Sequence, residues 1–423
     1  MTRSDVAHGT TESVNYFSMD QPKGRELQKS DASTRNHAKL KKPNVGIITH
    51  ATLEKAGKNA LDNLVTLIRP LTNRLFVITG DWYTNPTPGV KIIRIKAKRR
   101  SSFTGRVLQQ GVTHIRQLRA LLNLRRELDI LVFNFGTPFP VPLIFAQALG
   151  MRCFIILATQ GSRVWAQALK ASGAPQQFGE FTRFRIQEAC ERVSYYFSDQ
   201  LIAHSSRVVE QMKLQRYVDK IAIYPQYVAN YDLFDAKISV EDRQDLIGYV
   251  GRLSEEKGIL NLIKAIPQVL SVRPELRFAI VGEGHLRARI QELVDHNRLT
   301  EHVELVGWVR HNELPVWLNE FKLLVIPSYT EAGPNIMLES MACGTPVLAA
   351  QVGGVPDVIE DGKTGFLLEN NSPACIARSI IHAASYPDLT TIARNAHLYV
   401  RQEFTYAKMS EAWSEILLYE QPG

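Results

Sequence analysis

Two cationic side chains stand at the end of an apolar run in the C-terminal half of the chain. Arg252 and Lys257 belong to the segment GRLSEEKG, which closes the strand predicted from LIGYVGRL. Cationic groups at the carboxyl end of a strand are well placed to bind a diphosphate. Gly251 would let the backbone approach such a ligand closely. An isolated basic pair is more often two solvated side chains on a surface turn, so the hypothesis depends on further motifs.

A glycine-rich turn and a helix start supply two such motifs. The segment VGEGH places Gly282 and Gly284 between a predicted strand and a helix, which suits a phosphate but is also a common tight turn. The segment YTEAGPNIMLESMACGTPV is more specific. Gly333 and Pro334 open a helix there, and proline suits the first helical position. The unpaired N–H groups at that helix start would favour an anion.

Two glutamates accompany this helix, Glu331 just before it and Glu339 within it, with seven residues between them. Glu331 could act simply as an acidic partner of the helix dipole. Glu339 is harder to explain in this way, because its neighbours Leu338 and Met341 are apolar. A carboxylate on a largely apolar helix needs a polar partner, and ribose hydroxyls could supply it.

The elements that would position these residues alternate along the chain. Short apolar runs predict strands over residues 44–226 and again over residues 246–350, with amphipathic stretches between them. Strands that alternate with helices indicate parallel sheets with right-handed crossovers. We therefore expect an α/β fold of two tandem Rossmann-like domains with a cleft between them. Ligands should bind at the carboxyl ends of the strands that face the cleft.

Composition limits the class of protein and its compartment. The chain has 423 residues, of which 45% are hydrophobic and 22% charged, as is ordinary for a globular protein of two domains. The most apolar stretch, residues 138–158, is interrupted by Gly150 and Arg152, which predicts a buried helix and strand rather than a membrane span. The four cysteines lack metal-ligand spacing, and a reduced, cytoplasmic compartment fits them best.

The net charge of +8 favours anionic partners, and its densest source lies in the N-terminal half. One stretch carries eleven basic residues and no acid, namely Lys91, Arg94, Lys96, Lys98, Arg99, Arg100, Arg106, Arg116, Arg119, Arg125 and Arg126. This basic face could rest on an anionic membrane, where each cation contributes about 1 kcal/mol. Nucleic acid is not expected as a partner, because no recognition helix or aromatic–basic module is visible.

The same stretch also contains apolar residues at helical spacing, namely Leu108, Val112, Ile115, Leu118 and Leu122. We expect this stripe to pack against the sheet and to leave the arginines in water. That arrangement is favoured over direct insertion of the stripe into a membrane.

Together, the segments of residues 246–368 resemble the group-1 glycosyltransferases, the retaining glycosyltransferase family 4 with the GT-B fold. The resemblance rests on an ordered set: the cationic pair, the turn at Gly282 and Gly284, residues 307–309, and the two glutamates before GTPV. It weakens to a general pattern over residues 44–244 and is absent before Pro43. Residues 404–420 also resemble the final helix of the family.

The resemblance implies a division of the chain into functional parts. Residues 1–42 would be a disordered polar tail and residues 43–228 an N-terminal Rossmann-like acceptor domain. Residues 229–244 would be a linker, and residues 245–403 a C-terminal Rossmann-like domain for the nucleotide-sugar donor. Residues 404–423 would form a crossover helix that returns to the N-terminal domain.

The resemblance also implies a role for each motif. Arg252 and Lys257 would hold the donor diphosphate as it leaves and Glu331 would face the transferred sugar, which makes these three the catalytic candidates. Glu339 would bind the ribose. The further donor-binding candidates are Gly57, Gly282, Gly284, Trp308, Val309, Gly333, Asn335 and Ile336. No metal or other cofactor is expected, because cationic side chains and helix dipoles replace the metal in this family.

The implied activity is the retaining transfer of a sugar from a nucleotide-diphosphate sugar to a hydroxyl acceptor, such as a lipid-linked or surface-glycan precursor. The protein would act in the cytoplasm, peripherally on the inner face of the cell membrane. Gln160 stands where many members carry a histidine on the acceptor side; it can donate a hydrogen bond but cannot titrate. The alternatives are a non-catalytic nucleotide-sugar-binding subunit and another GT-B enzyme, such as a sugar-nucleotide epimerase.

Overall fold

The computed structural model describes most of the chain beyond its N-terminal tail. The described residues are 42–49, 55–80, 88–95, 103–134, 140–157, 166, 170, 180–224, 230–331 and 333–418. The disordered tail that we predict over residues 1–42 lies outside them, apart from its last residue. Among the described helices, none is both long enough and apolar enough to cross a bilayer.

A parallel sheet of seven strands is built from the first half of the chain. Its strands run in the spatial order β3-β2-β1-β4-β5-β6-β7, and every neighbouring pair is parallel. The strands are β1 (Val45–Ile48), β2 (Leu75–Thr79), β3 (Val90–Arg94), β4 (Ile130–Phe133), β5 (Arg152–Ile156), β6 (Gln200–Ala203) and β7 (Ile221–Ile223). Continuous apolar runs such as ILVF in β4 are buried throughout because helices cover both faces.

The helices around this sheet pack against opposite faces of it. They are α1 (Lys55–Ile68), α2 (Phe103–Leu124), α3 (Pro140–Ala148), α4 (Glu180–Phe197) and α5 (Ser206–Gln211). Helix α1 shares one core with Val45 and Ile47 of β1. Helices α2, α3 and α4 share the other core with Ile48 of the same strand. Alternate residues of a strand point to opposite faces, which explains this division.

Helix α2 is turned differently from our expectation. Among its described side chains, those of Gln117, Leu121 and Leu124 are buried. Three members of the predicted apolar stripe face outwards instead, since Val112 is 46%, Ile115 53% and Leu122 44% exposed. Leu118 is half-buried, and the side chain of Leu108 lies outside the described residues. The prediction was wrong because this helix has apolar residues on two sides, and periodicity alone does not say which side meets the sheet.

A second parallel sheet of six strands follows. Its spatial order is β10-β9-β8-β11-β12-β13. The strands are β8 (Leu246–Val250), β9 (Arg277–Val281), β10 (Val303–Gly307), β11 (Leu323–Ile326), β12 (Val347–Ala350) and β13 (Phe366–Leu368). The helices are α6 (Ile259–Leu270), α7 (Arg287–His296), α8 (Leu314–Glu320), α9 (Asn335–Ala342), α10 (Pro373–Ala384) and α11 (Leu389–Glu403). The order reverses between β8 and β11, the usual ligand position in such sheets.

The last described helix returns to the first sheet. Helix α12 (Tyr406–Leu418) buries Met409 and Trp413 in the core that contains β1 and α1. The Trp413 ring meets the Tyr224 ring edge-on at 5.1 Å, and the Tyr224 hydroxyl donates to the Met409 carbonyl at 3.3 Å. The predicted fold class, two Rossmann-like units with a C-terminal helix that crosses back, is confirmed.

The segment between the two sheets is fastened to the second unit by a buried arginine. Arg243 is 7% exposed, and burial lowers its pKa to about 10. Its guanidinium donates to the carbonyls of Ile238, Leu318, Phe321 and Cys343 and to the hydroxyl of Thr345. Phe234 of the same segment is fully buried. Although its composition is polar, this segment is therefore held to the second unit by specific hydrogen bonds and by a buried aromatic ring.

Replacing Arg243 should destabilise the protein strongly. In Arg243→Met the buried acceptors lose their donor, and each unsatisfied group costs about 1–3 kcal/mol, so we expect a loss of about 3 kcal/mol or more. The measurement is the free energy of unfolding in urea. Arg289→Met is the matched control, because Arg289 forms an exposed ion pair with Glu292 and its loss should change this free energy by less than about 1 kcal/mol. Equal effects of the two substitutions would contradict the structural role of Arg243.

Candidate functional site

Four loops that are distant in sequence meet at the carboxyl edge of the second sheet. They follow β8, β9, β10 and β11, and these strands are neighbours in the order β10-β9-β8-β11. The loops carry the cationic segment, the turn at Gly282 and Gly284, residues 307–309, and Glu331. The motifs that we selected from the sequence therefore lie side by side at one edge.

Two glycines allow these loops to pack backbone against backbone. Gly282 has φ +140°, and a Cβ there would lie 1.9 Å from the carbonyl oxygen of Gly251. Gly258 has φ +67°, and a Cβ there would lie 1.9 Å from the carbonyl oxygen of Pro327. Any other residue would force the loops apart. The glycine at 282 thus serves the packing of the β8 and β9 loops as well as any close approach of a ligand.

Lys257 and Glu331 form an ion pair across the point where the strand order reverses. The Lys257 Nζ atom lies 2.5 Å from Glu331 Oε1, and the Ser328 hydroxyl donates to the same oxygen at 2.7 Å. The side chains are only 19% and 10% exposed. A buried ion pair stabilises a protein little unless further hydrogen bonds satisfy it, and Ser328 provides one. Two of the three predicted catalytic residues are thus in direct contact.

Arg252, the third catalytic candidate, contacts a buried carboxylate in its own loop. Its Nη2 atom lies 3.3 Å from Glu256 Oε1, and the Ser254 hydroxyl donates to that oxygen at 2.6 Å. Glu256 is 4% exposed, whereas the Arg252 side chain is 51% exposed. The arginine is thus oriented by Glu256 while it stays accessible. Sequence reasoning missed Ser254 and Glu256, because an acid between two cations looks the same whether it is solvated or buried.

A buried tyrosine forms a hydrogen bond with the backbone of the β8 loop. The hydroxyl of buried Tyr249 donates to the carbonyl of Arg252 at 2.7 Å. Burial raises the pKa of Tyr249 well above its usual value, and the charges of Glu331 and Glu256 act in the same direction. The hydroxyl therefore stays protonated and keeps donating to the loop that carries Arg252.

The N-terminus of α9 borders open space beside these loops. Gly333 is exposed, and a Cβ there would have no atom within 4 Å. Asn335 is exposed and Ile336 half-buried, and both lie in the first helical turn, whose N–H groups lack helical partners. Pro334 has ψ 116° and caps the helix from outside. Our placement of Pro334 at the first helical position was wrong by one residue, because its backbone is extended.

Glu339 has a partner within the protein that the sequence did not reveal. It is 3% exposed, and its Oε1 atom lies 2.7 Å from Nε2 of His311. The hydrogen bond to Glu339 raises the pKa of His311, burial acts against this, and the charge of the carboxylate adds to the increase. The His311 ring lies 5.1 Å from that of Phe234. The segment VRHNE gave no indication that its histidine would meet a helix 28 residues away.

The segment after β10 has one exposed and one packed residue. Gly307 has φ +83° and turns the chain at the end of the strand. Trp308 is 50% exposed, and Val309 packs against the core beneath α9. Among the described residues, no three His, Cys, Asp or Glu side chains come together as metal ligands would.

Two site candidates, Gly57 and Gln160, belong to the first half of the chain. Gly57 lies in the first turn of α1, just after the loop that follows β1. The loop itself falls in residues 50–54, outside the described residues. Gln160 also lies outside them. The donor-side candidates of the second sheet are therefore brought together, whereas the acceptor-side candidate has no described position.

A known protein family matches the part of the chain that contains the second sheet. The family model for group 1 glycosyl transferases matches residues 231–396. This range contains every donor-binding candidate except Gly57. A D-inositol 3-phosphate glycosyltransferase of Streptomyces scabiei is 34% identical over 214 residues, which make up 45% of this chain and 47% of that protein. The match thus spans about half the length of this curated relative.

Solved structures share the fold over nearly the whole chain. Sucrose-phosphate synthase from Thermosynechococcus elongatus has a TM-score of 0.70 at 20% identity, over 88% of this chain and 98% of that one. HepE of Anabaena in complex with UDP-glucose has a TM-score of 0.68 at 16% identity, over 89% of this chain and 99% of that one. Residues 231–396 therefore match the family that the motifs predict, the group 1 glycosyltransferases, and the two sheets have the GT-B fold.

Proposed function

We propose that the protein transfers a sugar from a nucleotide-diphosphate sugar to a hydroxyl acceptor, with retention of configuration. The observation that carries this proposal is the Lys257–Glu331 ion pair at the switch point of the second sheet, beside Arg252 and the start of α9. The transferase name of the Streptomyces relative and the UDP-glucose bound to HepE support it.

The proposed donor places its diphosphate against Arg252, Lys257 and the N–H groups of Asn335 and Ile336. Negative charge grows on this diphosphate as the sugar leaves with cationic character. Fixed cations and backbone donors stabilise that charge more in the transition state than in the ground state. In this proposal the cations take the place of a metal ion.

The two glutamates would have different roles in donor binding and transfer. Glu331 would lie beside the reacting sugar, with its own charge balanced by Lys257. Glu339 would accept hydrogen bonds from the ribose while His311 holds it in place. The base that takes the proton of the acceptor hydroxyl would be an oxygen of the departing phosphate.

The proposed acceptor is a lipid-linked or surface-glycan precursor, reached by a cytoplasmic protein that sits peripherally on the inner face of the membrane. Exposed arginines on and just after α2 support this part of the proposal, namely Arg116, Arg119, Arg125 and Arg126. Of the other basic residues in that stretch, Lys96, Lys98, Arg99 and Arg100 lie outside the described residues.

Removing the cation at residue 257 should weaken donor binding. For Lys257→Ala we expect the affinity for a nucleoside diphosphate to fall at least about tenfold, or about 1.4 kcal/mol. Calorimetry with UDP, GDP and ADP, with and without EDTA, is the measurement, and EDTA should leave wild-type binding unchanged. Lys264→Ala is the matched control, because Lys264 is exposed on α6. Unchanged affinity of Lys257→Ala for every diphosphate that the wild type binds would refute the assignment.

Substitutions of the two glutamates should change different steady-state kinetic parameters. Glu339→Gln should mainly raise KM for the donor, because ribose contacts act in ground and transition states alike. Glu331→Gln should mainly lower kcat, on the order of a hundredfold, because it faces charge that develops during transfer. Donor hydrolysis without an acceptor distinguishes a transferase from a pure binder. Equal increases in KM for both variants, with kcat unchanged, would show that this division is wrong.

The His311–Glu339 pair should stabilise the folded protein more at low pH than at high pH. Because the pKa of His311 is raised in the folded protein, its contribution is fully present below the usual histidine pKa of about 6.5 and is lost as pH rises through the folded value. The measurement is the difference in unfolding free energy between wild type and His311→Gln at pH 5.5 and pH 9. We expect the larger difference at pH 5.5. The same difference at both pH values would argue against a charged pair.

A further inference from the structure

Three neighbouring helices of the first sheet present large apolar side chains to solvent. The exposed residues are Val112, Ile115 and Leu122 on α2, Val141 and Ile144 on α3, and Ile186, Val193, Tyr196 and Phe197 on α4. Their exposed fractions run from 39% for Ile144 to 70% for Tyr196. Isolated exposed apolar residues are ordinary, but such a group on adjacent elements marks an interaction surface.

The three helices lie side by side on one face of the molecule. Helix α3 contacts both α2 and α4. Their buried residues Leu121, Leu143 and Tyr195 belong to the same core, on one side of the seven-stranded sheet. Their outward sides therefore form one surface, which we call the α2–α3–α4 face.

The outward side of α2 mixes apolar and basic residues. Val112, Ile115, Arg119 and Leu122 follow one another at intervals of three, four and three, which places them on one stripe of a helix. This stripe is opposite the buried residues Leu121 and Leu124. Helix α2 contains no Asp or Glu, and α3 contains no charged residue. A partner for this stripe must accept apolar side chains and also be negatively charged.

An anionic lipid surface meets both conditions. Helices that lie in the membrane interface bury apolar side chains at the headgroup boundary while arginines reach the phosphates. Tyr196 and Phe197 at the end of α4 are exposed and are residue types that suit this boundary. Arg185 and Arg192 on the same helix are exposed, and both form ion pairs with Glu188, at 3.7 and 2.8 Å. The apolar residues are spread over three helices, and the basic stripe of α2 contains no acid. A membrane surface of uniform charge can contact all of them at once, which favours it over one particular protein partner.

We propose that the α2–α3–α4 face inserts its apolar side chains into the headgroup boundary of an anionic membrane, with the α2 arginines against lipid phosphates. This inference deepens the proposed function and rests on its membrane-linked acceptor. It also differs from electrostatic contact alone. Apolar contact is not screened by salt, whereas exposed charges act over only about 3 Å at 1 M.

Vesicle co-sedimentation of the full chain tests this mode of binding. The vesicles contain phosphatidylcholine with or without phosphatidylglycerol, and sodium chloride runs from 0.1 M to 1 M. We expect binding to the anionic vesicles at low salt and a bound fraction that persists at 1 M. Ile115→Ser combined with Leu122→Ser should lower the partition coefficient at least tenfold. The matched control combines Val272→Ser with Leu398→Ser, because these residues are 57% and 48% exposed on the second unit; it should bind like the wild type.

Several results would overturn the inference. Complete release at 1 M salt, or wild-type binding by the Ile115→Ser and Leu122→Ser variant, would reduce the contact to electrostatics. No binding at 0.1 M salt would reject a membrane partner. A dimer in light scattering that this variant abolishes would make the face a contact between copies of the chain. Donor hydrolysis measured without vesicles separates the two proposals, since its failure counts against the proposed function and leaves the membrane result standing.

Discussion

The Lys257–Glu331 ion pair is the contact on which the rest of the candidate site depends. It joins the loops after β8 and β11, the two strands between which the order of the second sheet reverses. Charges held in such a position cost desolvation energy, which a lone ion pair does not recover. Ser328 adds a hydrogen bond to the same carboxylate oxygen. The fold thus keeps a cation and a carboxylate fixed at the edge where a ligand would enter.

Rigidity around this pair comes from backbone packing. Gly258 lets the β8 loop touch the carbonyl of Pro327 in the β11 loop, and Gly282 does the same between the β9 and β8 loops. The hydroxyl of Tyr249 fixes the carbonyl of Arg252. Electrostatic stabilisation of a reacting diphosphate works best when the donors need not reorganise. The contacts that hold these loops are therefore part of the proposed chemistry.

Sequence patterns were sufficient to place an element or a site residue where one physical requirement determines the residue type. Buried parallel strands need continuous apolar runs, so β1, β4 and β8 could be placed from their residues alone. Gly282 was selected because its turn suits a phosphate, and the packing of the β8 and β9 loops gives a second reason for glycine there. The motifs at Arg252, Lys257 and Glu331 follow the ends of such strands, and the topology then brings them to one edge.

Other features depend on choices that are not local in sequence. Helix α2 has apolar residues on both sides, and only the packed sheet decides that Leu121 is buried while Ile115 is exposed. His311 looks like an ordinary surface residue until tertiary structure places it against Glu339. Arg243 stands in a polar segment, yet its acceptors come from three separate stretches of chain. Long-range partners of this kind leave no periodic trace in the sequence.

The central claim is that a donor diphosphate binds between the loops after β8 and β11. A crystal structure of the protein, soaked with whichever of UDP, GDP or ADP gives the largest thermal shift, tests it most directly. Our account predicts phosphate oxygens within hydrogen-bonding distance of Lys257 Nζ and of the N–H group of Asn335 or Ile336. A nucleotide bound at the edge of the first sheet, with the Lys257–Glu331 pair untouched, would contradict it.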